Sequence, residues 1–179
     1  MILFDTKYLQ LKSTKSKSGS DWVYAHRPNV TGGVVILPVI NNSKVLFLIE
    51  ERPPIKAEKL GKYTIGLPAG LMGDVRADET AVDAIKAELL EETGLVADKI
   101  EIVTKKVATS PGCVSENFYI AKAYINKYEL SSEPVSDGGI ICDRVLVDIK
   151  NIKKWLTDRE DDGYILTAQM LAALFYLND

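Results

Sequence analysis

Histidine and cysteine are almost missing from this chain, and their scarcity removes several kinds of chemistry at once. The only histidine is His26, and the two cysteines are Cys113 and Cys142. Two cysteines are too few for a disulfide framework, and theirs is not the spacing of a metal finger. No base is evident to partner either thiol, which speaks against a cysteine nucleophile. No apolar run is long enough to cross a bilayer, and the opening MILFDTKYLQ lacks the basic start and long apolar core of a signal peptide. The expectation is a reducing, cytoplasmic setting with no membrane partner. Excess positive charge is lacking too: a net charge of −3 argues against a nucleic-acid surface, so any phosphate binding has to be local. What is present, 46% hydrophobic and 26% charged residues among 179, suits one folded domain with a sizeable core.

Polar and apolar residues alternate over residues 3–11 and 21–27, on either side of the Ser/Lys/Gly-rich STKSKSGS at 13–20. This pattern predicts a hairpin with a long solvated tip. Trp22 and Tyr24 share one face of it, as core or as a surface for stacking a base. Two apolar runs, 33–40 and 44–50, flank Asn41-Asn42-Ser43 and predict a buried hairpin. Pro53-Pro54 ends its second strand, and a loop is expected up to residue 62, before YTIGLPAG. Arg52, at that strand end, reads equally as a phosphate ligand or as a surface arginine paired with Glu50 or Glu51. Further strands are predicted at 100–107, 118–125 and 144–149. A polar loop is expected at 126–139, a short basic helix at 150–157 and an apolar helix at 164–177. A mixed sheet with helices on both faces, an α/β architecture, accommodates this order.

The stretch GDVRADETAVDAIKAELLEETGL, residues 73–95, organises the rest. Thr80 followed by Asp83 reads as a helix N-cap with an acid in the first turn, and Gly94 suits the left-handed residue that ends a helix. Val82, Ile85 and Leu89 form the predicted apolar stripe. Glu88, Glu91 and Glu92 then crowd one side near the negative end of the helix dipole, where like charges repel. A solvated acidic face is one reading. The other is a site for a hard divalent cation such as Mg²⁺, which takes carboxylate oxygens and substrate phosphates.

These residues resemble the box of the Nudix hydrolases: G, five residues, E, seven residues, then R-E-hydrophobic-x-E-E-x-G-hydrophobic. Gly73, Glu79, Glu88, Leu89, Glu91, Glu92, Gly94 and Leu95 match at the right spacing. Ala87 stands where the family has arginine, and the neighbouring Lys86 points about 100° away around the helix. Beyond the box, Trp22 and Arg27, the Leu37-Pro38-Val39 run, Glu51-Arg52-Pro53, LPAGL, SPG…SE and TAQMLAALFYL resemble the ADP-ribose pyrophosphatase subfamily over nearly the whole chain. Gly66 departs from the glutamate usual before LPAG, and Cys113 from the second glycine of SPGG.

The resemblance implies a Nudix-type α/β/α sandwich with a central mixed sheet plus an N-terminal antiparallel hairpin, in a single domain over 1–179. Residues 1–30 would form the hairpin in contact across a homodimer, and 31–179 the catalytic core. It implies that Ala69, by its carbonyl, and Glu88, Glu91 and Glu92 hold Mg²⁺, with Mn²⁺ as a substitute. Trp22 would stack on adenine, while Arg27 and Arg52 would lie near phosphates and ribose. Glu92, or the loop acid Asp137, would take the proton from water. Glu133, Asp143 and Glu116 are alternatives to Asp137, whose other reading is a turn aspartate before Gly138-Gly139. The expected reaction is Mg²⁺-dependent hydrolysis of a nucleoside diphosphate sugar, ADP-ribose giving AMP and ribose 5-phosphate. Alternatives are another nucleotide sugar or dinucleotide, or a sensor that binds ADP-ribose without hydrolysing it.

Overall fold

The computed structural model describes residues 1–73, 76, 78–132, 134 and 140–177. In chain order the strands are β1 (Ile2–Asp5), β2 (Gln10–Lys15), β3 (Asp21–His26), β4 (Gly32–Ile40) and β5 (Lys44–Glu50). Helix α1 (Pro53–Ala57), β6 (Thr64–Gly66), β7 (Ala69–Met72) and α2 (Ala81–Thr93) follow. The chain continues through β8 (Lys99–Ala108), β9 (Asn117–Ile125), β10 (Ile141–Asp148), α3 (Ile152–Asp161), β11 (Ile165–Leu166) and α4 (Ala168–Leu174).

Strand β4 is the axis of the molecule. All of it is buried, and it pairs parallel with β9 but antiparallel with β5 and β7. Around it, β11-β6-β5-β4-β9-β8 form a mixed sheet, with β10 on β5 and β7 on β4. Side chains alternate across a strand, so one run of apolar residues serves two layers. Val34, Ile36 and Ile40 pack with Ile85 and Leu89 of α2 on one face. Val35, Leu37 and Val39 pack with Leu156 of α3 and Met170 of α4 on the other. The α/β/α sandwich expected from the sequence is therefore present. Among the described residues, no helix is long and apolar enough to cross a membrane.

The structure revises several local expectations. The N-terminal hairpin is a three-stranded antiparallel sheet, β1-β2-β3. Thr6 breaks the first arm, because its hydroxyl accepts from the amides of Tyr8 and Leu9 and so forms a turn. Residues 53–62 contain α1 instead of only loop, and Pro53-Pro54 start it, since a helix's first amides need no intrahelical partner. The final helix is shorter than 164–177: β11 pairs parallel with β6, and α4 begins only at Ala168. The basic helix is longer than 150–157, extending to Asp161. Val82, assigned to the apolar stripe, is exposed, whereas Ala84, Ile85, Leu89 and Thr93 are the buried positions of α2.

Candidate active site

Helix α2 is fixed at both ends by its own sequence. At the start, Thr80 and Asp83 form a reciprocal capping box. Asp83 is held below the usual carboxylate range first by the Thr80 hydroxyl and then by the Thr80 amide. At the end, Gly94 has φ 73° and its amide donates to the carbonyl of Leu90. Before the helix, Gly73 turns at φ 86° and donates its amide to Glu79 Oε2 at 3.0 Å. The glycine and the acid that lead into the helix thus close their own loop.

The acids of α2 do not share one environment. Glu91 is exposed, while Glu88 and Glu92 are half-buried against β7. Glu88 lies across Gly70 so closely that a Cβ there would sit 1.7 Å from its Oε1. Gly70 is needed for this approach, not for an unusual φ. Glu92 Oε2 accepts from the Ala69 amide at 3.0 Å. Even so, the Glu92 carboxyl is pushed up to about 8, first by burial and then by the negative charges of Glu88 and Glu50; the Ala69 hydrogen bond and Arg52 only partly offset this.

In front of β7 opens a cavity of about 440 Å³, lined in part by Arg27, Glu50, Arg52, Gly66, Gly70 and Glu116. Each arginine is held by an acid on the same wall. Arg27 Nε donates to Glu116 Oε1, and Arg52 Nη2 to Glu50 Oε1. Cationic donors and two carboxylates, one of them the buried Glu50, therefore share a small volume. That combination suits a polyanion together with a cation.

Of the residues singled out in the sequence, Arg27, Arg52 and Ala69 line this cavity, and Glu88 and Glu92 stand behind it through their contacts with Gly70 and Ala69. Trp22 does not. It is 50% exposed, donates its indole N–H to the Gly112 carbonyl at 2.7 Å, and lines a separate hollow with Tyr24, Pro111 and Val114. Asp137 and Glu133 lie outside the described residues. Asp143 is exposed and lines a different hollow with Tyr63 and Tyr164, whereas Glu116 is in the cavity. Glu50 entered the sequence reading only as a partner for Arg52. An acid closing an apolar run, two residues before an arginine, is the signal for it.

Among the described residues, no three His, Cys, Asp or Glu side chains already converge on a point where a metal ion would sit. The donor chemistry nevertheless fits a hard cation. Glu88 and Glu92 offer carboxylate oxygens, and burial among like charges leaves Glu92 short of compensating positive charge.

A family model described as the NUDIX domain matches residues 30–161. Among solved structures, a "Crystal structure of ADP compounds hydrolase" matches with a TM-score of 0.71 at 21% identity, covering 99% of this chain and 91% of that one. Identity this low speaks for the fold alone. No curated protein sequence matches significantly.

Proposed function

The chain belongs to the Nudix family of hydrolases, and from that premise we propose that it cleaves the diphosphate linkage of a nucleoside diphosphate sugar, ADP-ribose giving AMP and ribose 5-phosphate. The observation that carries this reading is the cavity in which Arg27 and Arg52 face the β7 wall backed by Glu88 and Glu92. Guanidinium forks recognise phosphate oxygens by paired hydrogen bonds, so the arginines would hold the diphosphate and spread its charge. Glu88, Glu91, Glu92 and the Ala69 carbonyl would hold Mg²⁺, with Mn²⁺ as a substitute. Bound there, the ion supplies charge neutralisation and acidifies a water. Glu92 would accept the proton, with the cation it helps to hold offsetting the burial and like charges that otherwise keep its carboxyl protonated up to about 8. Asp137 remains the alternative acceptor.

Trp22 would contribute to adenine binding from a second copy of the chain. In its own chain it lies in a different hollow from the arginines. Exposed Leu3, Phe4, Leu11 and Val23 on the same three-stranded sheet support pairing between copies. The reading is of a single domain, 1–179, in which 1–30 make the dimer contact and 31–179 form the core, acting in the cytoplasm.

AMP release from ADP-ribose, with Mg²⁺ and with or without Glu92→Gln, tests the proposal. Turnover by the wild type that collapses in the variant is the expected result. Turnover of only another nucleotide sugar or a dinucleotide would move the substrate. Binding of ADP-ribose with no turnover of anything would replace hydrolysis by sensing. Sedimentation or light scattering giving a monomer would remove the dimer and the role of Trp22 with it.

A further inference from the structure

Gly66 has no backbone reason to be glycine, because its φ is not in the left-handed region. Its reason is space. A Cβ at this position would lie 2.8 Å from Glu50 Oε2, with the Thr167 hydroxyl next at 3.6 Å. On the ladder, Leu48 of β5 is opposite Gly66 and Glu50 is opposite Thr64, so the Glu50 side chain leans along the strand into the place a residue-66 side chain would fill. The result is a carboxylate only 3% exposed, at the end of an apolar strand and on the wall of the cavity.

Burying a carboxylate is costly, and this one adds a like charge beside Glu92. Its cationic partner shows what it is for. Arg52 is two residues on, with extended φ and ψ of −101° and 111°, so it projects from the same side of the chain. Its side chain is 44% exposed, lines the same cavity, and is joined to Glu50 through Nη2. A flexible arginine at a strand end loses considerable rotamer freedom when it binds an anion. One held in advance by a buried acid has already lost part of it.

We propose that Glu50, accommodated by Gly66, is a positioning residue that fixes the Arg52 fork for a diphosphate-bearing ligand. The proposal rests on the diphosphate reading of the cavity. Glu50 touches neither the reacting phosphorus nor the water; it sets affinity through Arg52.

A double-variant cycle tests this. KM, kcat and the calorimetric Kd for ADP-ribose with Mg²⁺ are measured for the wild type, Glu50→Gln, Arg52→Gln, the double variant and Gly66→Ala, with melting curves as the control for folding. Glu50→Gln should raise KM and Kd about tenfold and change kcat by less than about threefold. Added to Arg52→Gln it should change nothing further, and Gly66→Ala should reproduce it by displacing the carboxylate. Independent, multiplying effects of Glu50→Gln and Arg52→Gln would overturn the proposal, as would an unchanged Kd or a fall in kcat alone. If Gly66→Ala does not fold, the cycle decides by itself. Tight binding without turnover would sink the hydrolysis reading but leave the Kd cycle to decide on Glu50. A wild type that binds neither ADP-ribose nor ADP would overturn both.

Discussion

Arg144 Nε donates to the backbone carbonyl of Glu92 at 2.5 Å, joining the middle of β10 to the last turn of α2. That turn carries no basic residue of its own, and its terminal carbonyls form the negative end of the helix dipole. Ala87 leaves the helix without the arginine usual in this family. A strand far away in sequence supplies a guanidinium to the same helix end.

Removing it should therefore loosen the acidic turn. Arg144→Gln is expected to lower stability by about 1–2 kcal/mol and kcat by about tenfold or more, with Arg144→Lys in between. Urea unfolding and steady-state kinetics on the same preparations check this. Wild-type kcat in Arg144→Gln would show that Ala87 leaves nothing to compensate.

A pH dependence follows from Glu92. Its carboxyl sits at about 8 in the folded chain against an ordinary 4.5, so between those values the folded state holds a proton that the unfolded state has lost. Stability without metal is complete below about 4.5, falls as pH rises toward 8, and then levels off, by at most about 5 kcal/mol. Melting curves in chelator from pH 5 to 8.5 should show this fall in the wild type and a flatter profile in Glu92→Gln. Added Mg²⁺ should raise the melting temperature most at the alkaline end. Superimposable profiles for the two proteins would refute the assignment.

Gly70→Ala probes the approach of Glu88 to β7. With a Cβ 1.7 Å from Oε1, the carboxylate has to move. Turnover should drop about a hundredfold and the Mg²⁺ needed for half-maximal rate should rise, because the displaced group belongs to the proposed ligand set. A drop in turnover with unaltered Mg²⁺ dependence would separate Glu88 from the metal.

Thr80→Ala serves as the contrasting case. It removes the capping box at the far end of α2, where Asp83 and Thr80 are exposed, and should cost about 1 kcal/mol. KM and kcat at a temperature well below melting should not change. A large kinetic effect would mean that the helix start, and not only its end, sets the geometry of Glu88 and Glu92.

Local signals were legible wherever the chain satisfies itself. The caps at Thr80 and Gly94, the Asn41-Asn42 turn with both φ values at 49°, and the doubly buried run of β4 all follow from neighbours in sequence. Spacing carried the acidic helix and the family resemblance for the same reason. Elements whose backbone partner is distant were less legible. Ile165 and Leu166 read as helix until β6 takes their backbone, and the acidic side of α2 divided only when β7 covered Glu88 and Glu92 and left Glu91 to solvent.

By itself, then, the sequence determined the layered α/β fold and the acidic helix, and it singled out Arg27 and Arg52 as candidates, since periodicity, capping and residue chemistry are properties of short stretches. Only the tertiary structure decided how those groups are charged and held. Burial among Glu88 and Glu50 raises Glu92, Arg144 reaches in from β10, and Gly66 yields its space to Glu50 across a strand pair. Desolvation and repulsion depend on distances through space, which spacing along the chain does not contain.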